Sequence, residues 1–408
     1  MKNLLFLGLI ILMYSCAEPV VNEVAPEFAQ WRGDNRDGKY TDTNLMKSWP
    51  KEGLSLLWFN DSIGTGYGSP IVTSDRLYVM GAFDSTGYLM AFNLNGKMLW
   101  KSTYGKEFTE SFEGSRCTPT LIGDLMYVCS GHGEITCFDT AGTKKWSKNM
   151  ITDFNGKNIH FGYSESLLID DSTLFATPGS NDTNVVALDR FTGTLKWISK
   201  GKSQLSAYCS PLLITLSNRK IMATFSANEF FGLDTKNGNL LWSHKQDTFC
   251  DIHGNTPFFE NGSIYYAAGC GNGLVRLELS ADGSKISEKW RTNKLINYIS
   301  GVVKVNNVIY GACEDSKKWK SVDALTGNVI DSLDFNKGIT IFADSMLYCY
   351  NEKGELGLID PKANKLQLVS SFKIDKGTKE HFAHPVICHG VLYVRHGKSL
   401  LAYDLRKK

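Results

Sequence analysis

Adjacent cysteines occur nowhere in this sequence and no two stand in CxxC spacing, although the chain holds ten. Zinc ribbons and thioredoxin-type redox motifs are thereby excluded. An excess of one charge is missing too: 44 Lys and Arg face 42 Asp and Glu, for a formal net charge of +2. That balance argues against nucleic acid as a partner. No basic run longer than two residues precedes the closing Arg406-Lys407-Lys408, which reads as a solvated tail. The pattern Gly-x-Ser-x-Gly is absent, so no nucleophile elbow is encoded. Only one long apolar run exists, Leu4 to Met13, and at about ten residues it is too short to span a bilayer.

That run follows the positive charge of Lys2 and ends at Ser15-Cys16, the arrangement of a bacterial lipoprotein signal with a relaxed lipobox. Residues 1–15 are therefore expected to be removed and Cys16 to carry lipid. Residues 16–27, with Pro19 and Pro26 and no periodicity, read as a tether. Ala17 to Val20 lack an acidic export run, which favours the periplasmic side of the outer membrane over the cell surface. The other nine cysteines are odd in number, and several lie in strand patterns such as Tyr348-Cys349-Tyr350. They are expected to be free thiols buried as small hydrophobes.

What the chain does contain is one phrase repeated. ALDRFTGTLKW ends at Trp197, and variants of it end at Trp100, Trp146, Trp242 and, more loosely, Trp290, at intervals of 45 to 51 residues. A strand end, a glycine turn and a second strand make up the phrase, and a period of this length marks a repeat array. Proline is scarce, with 10 copies, yet five of them open a second phrase: Ser69-Pro70, Thr118-Pro119, Ser210-Pro211, Thr256-Pro257 and His384-Pro385. Proline suits the first residue of a strand, where no ladder N–H is needed. Each unit then reads as four short antiparallel strands, a propeller blade.

Such runs begin near residues 69, 118, 164, 210, 256, 300, 339 and 384. The last stops at Asp404 without a fourth strand, while Leu54 to Trp58 is an orphan fourth strand before the first unit. The predicted fold is an all-β, eight-bladed β-propeller spanning residues 28–408, closed by an N-terminal strand that completes the last blade and removes free edges. Trp58, Trp100, Trp146, Trp197, Trp242 and Trp290 are expected to dock blade on blade near the turn of their own phrase. Each ring would bury roughly 150–250 Å², on the order of 4–6 kcal/mol.

The phrase A-x-D-x-x-T-G-x-x-x-W resembles the tryptophan-docking repeat of the pyrroloquinoline-quinone (PQQ) propeller family, over residues 54 to 404. Gln30-Trp31-Arg32-Gly33 and Asn35-Arg36-Asp37-Gly38 are similar to the opening segment of a branch of that family. Within the family the chain most resembles the propeller lipoproteins, which include the B subunit of the outer-membrane barrel-assembly machinery, the opening segment suggesting a sister group rather than that subunit itself. For quinoprotein dehydrogenases the resemblance implies a vicinal disulfide, a tryptophan floor under the quinone and acidic calcium ligands. No Cys-Cys pair or acidic cluster of that kind occurs here, so neither PQQ nor calcium is expected. Asp34 to Gly38 also fails the EF-hand spacing and reads as an Asx turn.

Candidate binding residues come from the loops that join the last strand of one blade to the first of the next, because those loops line the channel mouth. They are Tyr67, Glu113, Arg116, His160, Tyr163, Glu165, Tyr208, Asp251, His253, Tyr298, His381 and His384. A polar funnel of this kind could bind a small ligand, or a metal through His160, Asp251, His253 and His381. A wet, internally satisfied mouth accounts for the same residues. No catalytic residue is assigned. The expected function is a non-catalytic, monomeric scaffold that binds a protein partner at the envelope. A channel-mouth enzyme, quinoprotein-like or otherwise, and a carbohydrate-binding component using Tyr67, Tyr163 and Tyr208 are the alternatives.

Overall fold

The computed structural model describes residues 27–246 and 248–407. The expected signal, the lipidation site Cys16 and the tether up to residue 26 lie outside them. Eight sheets, each with four antiparallel blade strands that are consecutive in the chain in all but the last, make an eight-bladed propeller. Counted along the chain, the innermost strands start at residues 71, 120, 168, 212, 258, 302, 338 and 386. Both faces of each sheet are covered by the neighbouring blades, which is why the middle strands are almost unbroken apolar runs. Ser263–Ala268, Val308–Cys313 and Met346–Asn351 are buried at every position. The core is therefore a ring of clusters between blades. Met222, Phe231 and Leu233 of blade 4, for example, meet Leu168, Phe175 and Ala187 of blade 3.

Three short N-terminal strands join this ring. β1 (Phe28–Ala29) pairs antiparallel with Leu121 and Ile122 on the innermost strand of blade 2. β2 (Lys39–Tyr40) pairs parallel with Phe342 and Ala343 on the innermost strand of blade 7. β3 (Leu56–Asn60) is the outermost strand of blade 8, paired with Leu400 to Tyr403. Between β1 and β2 the chain crosses the central channel, entering and leaving at the same end. At that end Glu27 accepts the Ser74 N–H at 2.7 Å, and Asp344 accepts the Leu45 N–H at 2.8 Å.

The repeated phrase builds the blade contacts. Its Asp caps the turn: Asp189 Oδ1 accepts the N–H groups of Phe191 and Thr192, and Asp139 does the same for Ala141 and Thr143. Each tryptophan rests on the turn of the next blade rather than of its own phrase. Trp58, Trp100, Trp146, Trp197 and Trp290 donate Nε1–H to Leu94, Thr140, Arg190, Thr235 and Ala324 carbonyls at 2.8–3.2 Å. The turn glycine beneath the ring, such as Gly193 under Trp146, has no room for a Cβ. Trp242 departs from this. It is buried over Gly232 of its own blade, beside Phe230, and its Nε1 has no partner. The phrase at residues 321–328 has no tryptophan, and Trp319 on the preceding strand is fully buried instead, donating to Thr340 Oγ1 at 2.8 Å.

The expectation that all nine cysteines are free needs correction. Cys250 and Cys270 form a disulfide, with Cα atoms 5.7 Å apart. It staples the loop entering blade 5 to the hairpin between that blade's second and third strands. Their 20-residue separation carries no recognisable spacing. Cys117, Cys129, Cys137, Cys209, Cys313, Cys349 and Cys388 are free, six of them buried.

Candidate functional site

The channel is filled by the chain's own residues 30–38, held chiefly by two arginines. Arg32 and Arg36 are 3 % and 2 % exposed. Arg36 donates to the carbonyls of Ser166, Leu167 and Pro211 at 2.5–3.1 Å and to Gln30 Oε1 at 2.7 Å. Arg32 donates to the Val302 carbonyl at 2.9 Å and to His384 Nδ1 at 2.9 Å. A Cβ at Gly38 or Gly301 would fall 2.2–2.3 Å from its guanidinium nitrogens, so both glycines make room for it. Burial lowers both arginines to about 10, still charged at neutral pH. Asp37 Oδ1 accepts the Lys39 N–H at 3.2 Å, the Asx turn expected at this point.

This segment separates two cavities. One, of about 590 Å³, lies against the inner strands around Leu168, Leu212 and Phe258. The other, of about 410 Å³, opens at the mouth formed by the inter-blade loops. Trp31 is its base, donating Nε1–H to Thr256 Oγ1 at 3.0 Å and standing 4.4 Å from the His384 ring. The walls are largely aromatic: Tyr67 packs on Phe382 at 5.8 Å, Phe382 on Phe112 at 5.8 Å, Phe112 on Phe161 at 5.9 Å and Phe161 on Tyr208 at 6.0 Å. Opposite stands one charged group, Lys337 between Glu314 and Glu352, the latter at 3.2 Å. Burial opposes the lysine's charge, but the two carboxylates outweigh it and raise its pKa.

Five of the twelve expected mouth residues line this cavity: Tyr67, Arg116, Tyr208, Tyr298 and His384. Tyr67 donates to Glu380 Oε2 at 2.7 Å. Arg116, its pKa lowered by burial, donates to the carbonyls of Gly114 and Ser111 at 2.7 and 2.6 Å. His384 receives the Arg32 N–H on Nδ1 and faces the Ile299 carbonyl with Nε2 at 3.0 Å. That pattern fixes the Nε2–H tautomer, and burial together with Arg32 holds the ring neutral.

The other seven are elsewhere. Glu113 pairs with Lys379 at 3.0 Å at the surface. His160 is exposed beside Phe161. Tyr163 is buried and donates to the Pro178 carbonyl at 2.6 Å, so it is not an exposed sugar platform. Glu165 is buried, accepts the Thr177 N–H at 2.8 Å, and is pushed up to about 7 by burial. His253 is buried, stacked on Phe225 at 4.9 Å, and lowered to about 4 mainly by burial. His381 stacks on His396 at 3.8 Å and is lowered to about 4 by burial, with His396 adding to it. Asp251 is half-buried outside the cavity lining. His160, Asp251, His253 and His381 are not brought together, and no group of three or more His, Cys, Asp or Glu suited to a metal occurs among the described residues. Sequence reasoning missed Trp31, Phe112, Phe161 and Phe382. Position in the inter-blade loops would have found the phenylalanines, but the search there favoured polar side chains.

The family model described as outer membrane protein assembly factor BamB (PQQ_2) matches residues 85–332. A Paracoccus denitrificans protein named as a dehydrogenase, XoxF, is 29% identical over 209 residues, 49% of this chain. The chain spans 27% of that relative's length. Among solved structures, BamB from Moraxella catarrhalis has a TM-score of 0.61 at 12% identity, covering 86% of this chain and 99% of that one. The quinohemoprotein alcohol dehydrogenase ADHIIG of Pseudomonas putida has a TM-score of 0.66 at 11% identity, covering 92% and 79%. At such identities these structures share the fold alone. With more than half of its length matched by the family model, this eight-bladed chain belongs to the BamB family of PQQ-like propellers.

Proposed function

We propose that the protein is an exported, lipid-anchored propeller that acts without catalysis, presenting its channel-mouth face to a protein partner in the cell envelope. The observation that carries this reading is the composition of that face. The charged groups lining its cavity are bonded to one another or to backbone, while Phe112 and Phe249 stand 45 % and 81 % exposed on its rim. Exposed aromatics on a rigid frame are the usual anchors of protein interfaces. The Cys250–Cys270 disulfide suits an oxidising compartment and supports export. Glu27, the first described residue, lies at the end of the channel opposite the mouth, so a lipid on Cys16 would leave the mouth free.

A quinone cofactor does not fit this mouth. Trp31 does lie at the base of the cavity, but a quinone tricarboxylate needs an excess of cations, and the lining sets Arg116 and Lys337 against Glu314 and Glu352. The disulfide joins cysteines 20 residues apart rather than neighbours.

A photo-crosslinking amino acid at Phe112, Phe249 or Asn95 in the native cell tests the proposal, Asn95 being in a turn on the opposite face. One common adduct from Phe112 and Phe249, absent from Asn95, is expected. Equal labelling from both faces, or stoichiometric metal or quinone absorbance in purified protein, would overturn it. Cys16→Ser should move the protein from the membrane to the soluble fraction.

A further inference from the structure

We infer that the 410 Å³ cavity at the channel mouth is a pocket for a small, uncharged aromatic molecule. The inference goes beyond partner docking and stands on the cavity's own valences. Its volume falls in the range of small-molecule sites, about 300–1,000 Å³, which are lined mainly by apolar and aromatic groups. Trp31 at the base and the rings of Tyr67, Phe112, Phe161, Tyr208 and Phe382 around it offer faces and edges to a flat apolar guest.

The charged lining cancels and is internally bonded. Arg116 and Lys337 stand against Glu314 and Glu352. The arginine is bonded to the Ser111 and Gly114 carbonyls, and the lysine to both glutamates. His384 is occupied on both ring nitrogens by Arg32 and the Ile299 carbonyl. Of the hydroxyls, Ser164 donates to the Tyr208 carbonyl and Tyr67 to Glu380, while Ser166 and Ser210, both buried, accept the Thr118 and Ser166 N–H groups. The lining carries no net formal charge, so a carboxylate entering this cavity would lose its hydration with no net positive charge to replace it, and a sugar would bury most of its hydroxyls against aromatic walls. A neutral ring system meets neither penalty.

A matched pair of fluorescent probes tests this on the full chain. N-phenyl-1-naphthylamine is neutral, and 8-anilino-1-naphthalenesulfonate is nearly the same skeleton with a negative charge. Saturable binding of one neutral probe per chain is expected, with the sulfonate weaker by about tenfold or more. Cellobiose should not displace the neutral probe. Phe112→Glu, at a position already half in solvent, and Phe382→Ser should each weaken it by about tenfold or more. Leu57→Ser on the outer strand of blade 8 should leave it unchanged. Equal or tighter sulfonate binding, or neutral-probe binding indifferent to Phe112 and Phe382, would overturn the inference. So would non-saturable binding combined with loss of the partner adduct in Phe112→Glu, which would make the cavity a seat for a partner's side chain.

Discussion

Arg36 shows how a single side chain can replace a strand. The Ser166, Leu167 and Pro211 carbonyls lie at the channel end of two inner strands, beyond the reach of the sheet ladders. The guanidinium's fork of donors meets all three. Arg36→Met should therefore strand buried carbonyls and destabilise the fold by about 3 kcal/mol or more. Arg36→Lys should rescue little, because an ammonium cannot span three acceptors in a plane. Denaturant unfolding of the two variants checks both statements. Glu107 and Glu165 bear on pH. Burial raises each from an ordinary 4.5 to about 7, so the folded state keeps protons that the unfolded state gives up between those values. Their contribution is whole below pH 4.5 and lost as pH rises through 7, at no more than about 1.4 kcal/mol per pH unit for each group. His253, His381 and His384, held neutral by burial, add the opposite slope below about pH 6.5, so the check is the difference between proteins: the melting temperature of Glu165→Gln should fall less steeply, or rise more steeply, with pH from 5 to 8 than that of the unaltered chain. Neither arginine's role was legible in the sequence. A lone cation in a non-repeating stretch has no period, and the resemblance of Gln30 to Gly38 to a known segment did not say that the segment runs through the channel.

At the level of the blade, the contact that repeats is an indole on a glycine. Gly193 has φ +73° and lies under Trp146, whereas Gly262 has φ +74° with nothing within 4 Å of a built Cβ. Alanine at either site meets the same left-handed strain, on the order of 1–2 kcal/mol. Only Gly193→Ala must also lift the Trp146 ring, so its loss of stability should exceed that of Gly262→Ala by about 1–3 kcal/mol. Paired thermal melts give the difference directly. This layer was readable beforehand because turn, glycine and tryptophan recur together: the inner strand of blade 5 was expected from Thr256-Pro257 and begins at Phe258. Trp242 escaped that logic. Where its neighbours have a turn glycine to cover, the next blade's Gly283 is covered by Ile221 and Leu216, so the indole turned inward over Gly232. The Cys250–Cys270 link was hidden for another reason, since two loops meet there only once blade 5 has folded. Cys250→Ser should cost about 3 kcal/mol for a loop of this length, seen as a lower melting temperature that reductant no longer changes.

For the molecule as a whole, closure rests on β3 in blade 8. The missing fourth strand after Asp404 and the spare strand at Trp58 pointed to each other in the sequence, and Leu56 indeed faces Tyr403. Removing residues 27–60 should leave the outer edge of blade 8 open and the channel unfilled. Loss of a single cooperative transition and a shift to aggregates on size-exclusion chromatography are the expected results.

The same join sets an order in time. Residues 28–60 precede all the strands they pair with, which lie on blades 2, 7 and 8, and β3 pairs with Leu400. β1 can pair once blade 2 is made, but β3 must stay unpaired until blade 8 has emerged. Closure of the ring thus comes after the blades it joins, and it is slow because β3 and its partner strand lie far apart in sequence.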